Sequence, residues 1–562
     1  MRLSDFVAQS LVDAGVEEIF SVTGGACMYL TNSFAKHPGL RVTYFAHENA
    51  CVCGAESYFR LTGKLACVCV TSGPGSLNCV TGVHGAYCDS MGMIVISGQC
   101  DSRTVDLHGT LRQLGDQSVN ICSIVAEITK YAEEILEPLT VKARLHHALY
   151  FAKSRRPGPV WLSIPVDVQS KEVDPEKMWE CYAQRPWEEP FSAIDYEGLV
   201  SRLSMAQRPV ILAGSGIRTA GAVEEFRALV DLLGIPVVTA YNGHDLMPSD
   251  HPYYIGRQGT IGDIAGNLAV QESDFLLILG SRCNIRSIGF NFDAFAPKAF
   301  KVLIDIDNAE LNKPFPKIDM SIHADLKAFL RALDFIPLPR PYTAMIDWLQ
   351  RCHEWKRSNP VVQPEYRDTP LLNPYVFIEQ LFNRLREDDI VVCANGTATV
   401  ATFQTAKIKE GQRLYTNGGS SAMGWGIGAA IGAARGAKPG QRVILIDGDG
   451  SLQMSTGDLA TIEHNQLDIL IFVLNNGGYT SIRQTQDRFF NGRYAGIDAS
   501  SGVGFPDLEL LAQAYGLRYE LIGATMECLE EALGELGPSL CEVVVDPRQN
   551  FAPRIRFPME EV

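Results

Sequence analysis

"ILIDGDGSLQM", residues 444–454, carries a strand-forming run straight into an acidic Gly-Asp-Gly turn. A second apolar run, "DILIFVL" (468–474), ends in "NNGGY" (475–479). Gly448 and Gly450 remove side chains where a strand hands over to a helix. Backbone N–H groups can then approach a phosphate, and Ser451 suits the N-cap of that helix. A dinucleotide fingerprint would want a third glycine at 453, which is Gln453. The spacing supports another reading. The twenty-four residues after Gly450 hold a helix of about four turns and lead into a second parallel strand. A right-handed crossover brings Asp449 and Asn476 to the same carboxyl edge of one sheet. A carboxylate and an amide oxygen there suit Mg²⁺, which takes six oxygens, commonly a few from protein and the rest from phosphates and water. Either half alone is an ordinary glycine turn or polar strand end. Together they predict a magnesium diphosphate clamp.

The same local pattern, a β-rich run followed by a glycine turn and a helical stretch, occurs three times. The instances are "LACVCVTSGPGS" (65–76), "RPVILAGSGI" (208–217) and "RVILIDGDGS" (442–451). Apolar strands that run on without alternation indicate sheets buried on both faces, hence parallel strands covered by helices. Charged, proline-bearing stretches at 168–192 and 336–374 read as linkers, the second interrupted by the helical "AMIDWLQRCHEW". Three doubly wound α/β domains are expected, at 1–170, 190–338 and 370–562.

The totals agree with that division. A chain of 562 residues is too long for a single core. Forty-nine Lys+Arg against 65 Asp+Glu give a net charge of −16, which argues against a nucleic-acid or anionic-membrane surface. The opening "MRLSDFVAQSLVDAGVEEIF" reads as an amphipathic helix, not a signal peptide, and no run of eighteen apolar residues occurs. The fifteen cysteines form no C-x-x-C pair. Cys51/Cys53 and Cys67/Cys69 sit in apolar surroundings and read as buried, reduced thiols, which implies a cytoplasmic protein.

With the clamp in place, the sequence resembles the thiamine diphosphate (ThDP) enzymes, most closely the acetolactate synthase group. The resemblance extends through "TSGPGSLNCVTGVHGAYCDSMGMIVISGQ" (71–99), "RRPGPVWLSIPVDVQ" (155–169), "FDAFAPKAFKVLIDID" (292–307) and "GGSSAMGWGIGAAIGA" (418–433). It implies that Asp449, Asn476 and the Gly478 carbonyl hold Mg²⁺. It places Gly24, Gly25, Gly448, Gly450 and Ser451 at the cofactor and Met423 beneath it, enforcing its folded shape. The acid–base residue of these enzymes, a glutamate beside N1′ of the aminopyrimidine, is matched by Glu48 in "YFAHENACVCGA". In bare sequence Glu48 simply opens a helix, where an acid favours the macrodipole. Gln117 matches an active-site glutamine. Such enzymes decarboxylate a 2-oxo acid and build each active site from two subunits, so a homodimer or homotetramer is implied.

The group also retains FAD in its middle domain, in a structural role. Matching positions are Gly214, Gly216, Gly256, Arg282, Arg286, Asp305 and Asp325, with Asn284 where the group often has an acid. Acetolactate synthases carry a Phe-Gln pair where this chain has Asp116-Gln117, and a tryptophan where it has Thr485. "RQLGDQSVNICSIVAEITKYA" (112–132) looks more like a subgroup that makes branched-chain sugars, of the yersiniose type. The expected activity is therefore transfer of a two-carbon unit from pyruvate to a carbonyl acceptor, a bulky ketone such as a nucleotide-activated keto-sugar. The alternatives are acetolactate synthase proper, a simple decarboxylase or oxidase, and a non-catalytic flavin or nucleotide-binding protein.

Overall fold

The computed structural model describes residues 1–106, 111–180, 191, 193–556, 560 and 561. Each β-rich block builds its own six-stranded sheet. The first contains β1 (Glu18–Ser21), β2 (Arg41–Tyr44), β3 (Cys67–Val70), β4 (Met93–Gln99), β5 (Tyr131–Glu134) and β6 (Pro159–Pro165). The second contains β7 (Pro209–Ala213), β8 (Val237–Thr239), β9 (Tyr254–Arg257), β10 (Phe275–Leu279), β11 (Phe300–Asp305) and β12 (Met320–His323). The third contains β13 (Ile390–Cys393), β14 (Arg413–Tyr415), β15 (Val443–Gly448), β16 (Ile469–Asn475), β17 (Arg518–Ile522) and β18 (Ser539–Val544). Every neighbouring pair in these sheets is parallel. β3, β7 and β10 are buried along their whole length, as unalternating apolar runs require.

The first sheet is ordered β2-β1-β3-β4-β6-β5 and the third β14-β13-β15-β16-β18-β17, which is one topology used twice. The middle sheet runs β12-β11-β10-β7-β8-β9. Open parallel sheets bind ligands outside the carboxyl ends of their strands, where the direction of winding reverses. Those points lie between β1 and β3, between β7 and β10, and between β13 and β15.

Two expectations change. The crossover from β15 to β16 is not one four-turn helix but a short helix Asp449–Leu452, a turn at Thr456–Asp458 and a second helix Leu459–His464. The break docks the turn on the first domain, where Asp458 Oδ1 accepts the Ala46 N–H at 2.7 Å. The stretch 336–374 is not all linker, because its helix Thr343–Ser358 buries Trp348 and Cys352 in the middle domain. Trp348 Nε1 donates to the Pro209 carbonyl at 3.2 Å. Part of the other expected linker, 181–190 and 192, lies outside the described residues. The N-terminal amphipathic stretch forms the helix Leu3–Asp13 and then enters β1. All described cysteines are free, most of them buried, and among the described residues no helix is long and apolar enough to cross a membrane.

The first and third domains share one continuous apolar cluster. Its seam is a crossing of the helices Glu48–Thr62 and Gly426–Gly436. A Cβ on Gly428 would stand 2.6 Å from the Ala50 carbonyl oxygen, and one on Gly432 would run into the carbonyl of Gly54. Glycine is required there for close approach, and the crossing sets where Glu48 stands relative to the Met423 segment.

Candidate active site

At the carboxyl ends of β13 and β15 lies a cavity of ≈ 450 Å³ whose wall includes Gly396, Thr397, Gly448, Asp449, Gly450, Asn476 and Gly478. Register places the two halves of the clamp together, since Gly448 of β15 pairs with Leu474 of β16. Asp449 is 5% exposed. Its Oδ1 accepts the Gly450 N–H at 2.7 Å, and its Oδ2 accepts those of Asn476 at 3.2 Å and Gly478 at 3.1 Å. Burial pushes its pKa up to about 6 against the pull of these donors. An ionised carboxylate under that desolvation is well matched to a cation. Asn476 Oδ1 is buried and has no hydrogen-bond partner among the described residues, while its Nδ2 donates weakly to Thr397 Oγ1 at 3.5 Å. An orphaned amide oxygen beside a buried carboxylate fits a divalent metal. Among the described residues no three His, Cys, Asp or Glu side chains cluster as metal ligands, and the clamp needs only one carboxylate.

The glycines divide the work. A Cβ on Gly448 would meet nothing and project into open space, whereas one on Gly450 would collide with the Tyr479 ring. Gly478 takes φ +155°, where L side chains are strained. Ser451 is not the N-cap. Gly448 caps the helix, and Ser451 lies in its first turn, its Oγ accepting the Gly424 N–H at 3.1 Å. That bond ties the clamp to Met423, which lines the cavity and is 38% exposed. A methionine serving only as core filler would be buried.

Glu48 does not line this cavity. It opens the helix Glu48–Thr62 in the first domain, with His47 Nδ1 capping the Asn49 N–H at 3.1 Å. Its Oε2 accepts from Asn78 Nδ2 at 2.9 Å, and its Oε1 lies 3.3 Å from where a Gly75 Cβ would stand. The turn after β3 gathers the other first-domain candidates. Thr71 sits so close to Gly24 that a Cβ there would be 2.5 Å away, and the Gln117 carbonyl stands 2.7 Å from a Cβ built on Gly73. Gly25 faces open space. Glu48, Gly24, Gly25 and Gln117 thus share the β1/β3 edge, the counterpart of the β13/β15 edge beside the Asp449 cavity. Gln117 itself takes φ +54°.

The flavin candidates separate. Gly216, Arg282, Asp305 and Asp325 line a cavity of ≈ 330 Å³ at the β7/β10 edge, closed on one side by Cys88–Ser90 and Lys153–Pro157 of the first domain. Burial raises the pKa of Asp305 above the ordinary carboxylate range, and Asp325 caps a helix through the Ala328 N–H at 2.8 Å. Gly214 and Gly216 are demanded first by backbone packing, since a Cβ on either would run into Gly280. Gly256 and Arg286 do not line that cavity. Gly256 abuts the Asp263 carboxylate, and Arg286 lines the Asp449 cavity instead, beside Tyr241. Arg286 and Tyr241 belong to the middle domain, so sequence reading missed that this domain supplies part of the Asp449 cavity. It also missed Asn395 to Thr397, although "VVCANGT" (391–397) repeats the strand-then-turn pattern. Asp116 is exposed in the first domain. Thr485 is exposed on the helix Thr480–Phe490, its hydroxyl donating to the Ser481 carbonyl at 3.0 Å.

The chain matches three family descriptions in order: thiamine pyrophosphate enzyme N-terminal TPP binding domain over residues 1–119, central domain over 196–333, and C-terminal TPP binding domain over 394–543. It is 33% identical over 559 residues to the acetolactate synthase large subunit of Lactococcus lactis, covering 98% of this chain and 94% of that protein. It is 31% identical to a probable acetolactate synthase large subunit of Methanocaldococcus jannaschii, over 98% and 93% of the two chains. Against the acetolactate synthase isozyme 2 large subunit of Escherichia coli it is 30% identical, over 99% and 97%. Three parallel α/β domains, a cavity holding Asp449 and Asn476 at the carboxyl edge of the third sheet and similarity along nearly the whole chain lead to one conclusion: the protein belongs to the thiamine pyrophosphate enzymes, as a decarboxylase and carboligase of the acetolactate synthase kind.

Proposed function

We propose that this enzyme decarboxylates pyruvate and joins the two-carbon unit to a second 2-oxo acid, with ThDP held by Mg²⁺. The observation that carries the cofactor reading is the clamp, where a buried carboxylate stands beside an unsatisfied amide oxygen in a cavity with room on its open side. When bound, ThDP supplies the electron sink for loss of CO₂ and the carbon nucleophile for ligation. Asp449, Asn476 and the Gly478 carbonyl would hold the metal, and Met423 in the cavity wall would support the cofactor. Asn78 engages Oε2 of Glu48, which leaves Oε1 to exchange a proton with N1′ of the aminopyrimidine.

Because Glu48 and the clamp sit on different edges and Glu48 is not part of the cavity wall, we assign each active site to two copies of the chain. The exposed Met28 near the first-domain edge is apolar surface that such a partner would cover. FAD is assigned to the cavity at the β7/β10 edge, where Arg282 suits a diphosphate and Asp305 or Asp325 a ribose. The reduced thiols suit a cytoplasmic enzyme.

Arg286 favours the 2-oxo acid as acceptor, since an arginine in the cavity wall suits a second carboxylate. The relatives' names point the same way. A second reading, a bulkier ketone such as a nucleotide-activated keto-sugar, rests on Asp116 and Thr485 standing where acetolactate synthases resemble one another in aromatic residues. Labelled pyruvate offered alone and with competing ketones, followed by product identification, separates the two. Acetolactate as the main product with pyruvate alone supports the first reading. A dominant ketone adduct overturns it in favour of the second.

A further inference from the structure

Residues 416–425 form the loop that leads from β14 into the helix Gly426–Gly436 and carries Met423. Asn417, Gly418 and Trp425 anchor it to the first domain. Glu56, two turns beyond Glu48 on the same helix, is fully buried. Its Oε1 accepts from Arg60 Nη2 at 2.5 Å. Its Oε2 accepts from Asn417 Nδ2 at 2.9 Å and from Trp425 Nε1 at 2.8 Å. Arg60 Nη2 also donates to Asp89 Oδ2 at 2.5 Å, and that oxygen accepts the Gly418 N–H at 2.9 Å.

A buried carboxylate needs a countercharge, and Arg60 supplies one. Asn417 and Trp425 add no charge. They are the two ends of one loop, brought to a single oxygen, and the residue they bracket faces the diphosphate cavity. The sequence also leaves space for these contacts. A Cβ on Gly85 would run into Asn417 Nδ2, and one on Gly419 would stand 2.6 Å from Asp89 Oδ1. Within its own domain the loop is tied at Ser421, whose carbonyl accepts from Asn395 Nδ2 at 2.8 Å, and at Gly424 through Ser451.

We propose that Glu56 is a positioning residue, which, with Arg60 and Asp89, fixes the loop so that Met423 stands at the height the cofactor requires. This rests on the reading of Met423 as the cofactor's support. The helix Glu48–Thr62 then has two tasks: it presents Glu48 at its start and sets Met423 from its middle.

The test uses Trp425→Phe, which removes one donor to Glu56 and keeps the charged triad, together with Glu56→Gln. Each is made in the wild-type chain and in a Met423→Ala chain. The readouts are the ThDP dissociation constant at saturating Mg²⁺ and the unfolding midpoint of the apoprotein. In the wild-type chain each substitution weakens ThDP binding by roughly tenfold, the worth of a buried hydrogen bond to a charged group. In the Met423→Ala chain the same substitutions cost less than about twofold, because no support remains to be positioned. A purely structural pin lowers the unfolding midpoint alike in both chains and shows no such coupling. Equal fold-losses in both backgrounds, or unchanged binding in the first, overturn the proposal. Normal ThDP affinity in Met423→Ala alone removes the role of Met423 and the positioning with it. A wild-type protein that binds no ThDP fails the functional reading itself.

Discussion

Asp449→Asn is the sharpest perturbation of the clamp, because it keeps the shape of the side chain and removes its charge. The carboxylate takes three backbone N–H groups, on Oδ1 from Gly450 and on Oδ2 from Asn476 and Gly478. An asparagine retains one acceptor oxygen and turns its amide toward at least one of those donors. One or two buried N–H groups then lose their partner, at about 1–3 kcal/mol each. The cavity is polar and roomy enough for water to restore part of that. The protein should therefore stay folded. The metal-dependent loss is larger. Substituting a group that merely supports a metal ligand costs about 10–100-fold in affinity. Replacing the one anionic ligand should weaken Mg²⁺-dependent ThDP binding by at least about 100-fold, or about 2.7 kcal/mol. The assay is ThDP affinity by calorimetry, with Mg²⁺ and with a chelator, for wild type and variant, alongside circular dichroism for the fold. ThDP affinity that is indifferent to the chelator in both proteins refutes the metal site and the argument from the orphaned Asn476 oxygen.

Glu48→Gln should bind ThDP normally and lose about 10²–10⁴-fold in turnover, the span of a general acid–base group; turnover and cofactor C2–H exchange at the parent rate would remove Glu48 from the reaction. Gly432→Ala drives a Cβ into the Gly54 carbonyl at the helix crossing. It should lower stability by about 1–3 kcal/mol, read as an earlier denaturation midpoint, and an unchanged midpoint contradicts the tight seam. Thr485→Trp should cut addition to bulky ketones by roughly tenfold or more while sparing acetolactate formation. An unchanged product ratio shows that this helix face is no part of the acceptor pocket.

The parallel α/β architecture was legible in sequence because it depends on local pattern. Runs such as "CVCV" and "PVILA" carry no polar alternation, so they belong in sheets covered on both faces, and each hands over to a glycine turn. The pairing of Asp449 with Asn476 was legible for the same reason, since a parallel crossover returns the chain to the same sheet edge whatever happens between. What happens between was not legible. The crossover breaks at Thr456–Asp458 because Asp458 reaches Ala46, some four hundred positions away in sequence. Arg286 was grouped with Arg282 by resemblance, yet the two line different cavities, because the chain after β10 carries Arg282 toward the first domain and Arg286 toward the third. Gly214 and Gly216 read as ligand glycines, and only the structure shows that the backbone of Gly280 requires them as well. The hold of Glu56 on the Met423 loop left no trace in local pattern. A buried glutamate and a tryptophan more than three hundred and fifty residues apart become partners only when two helices cross at glycines. Periodicity records what a residue's own strand or helix demands of it, and the contacts that position chemistry between domains are set by packing that no short stretch of chain contains.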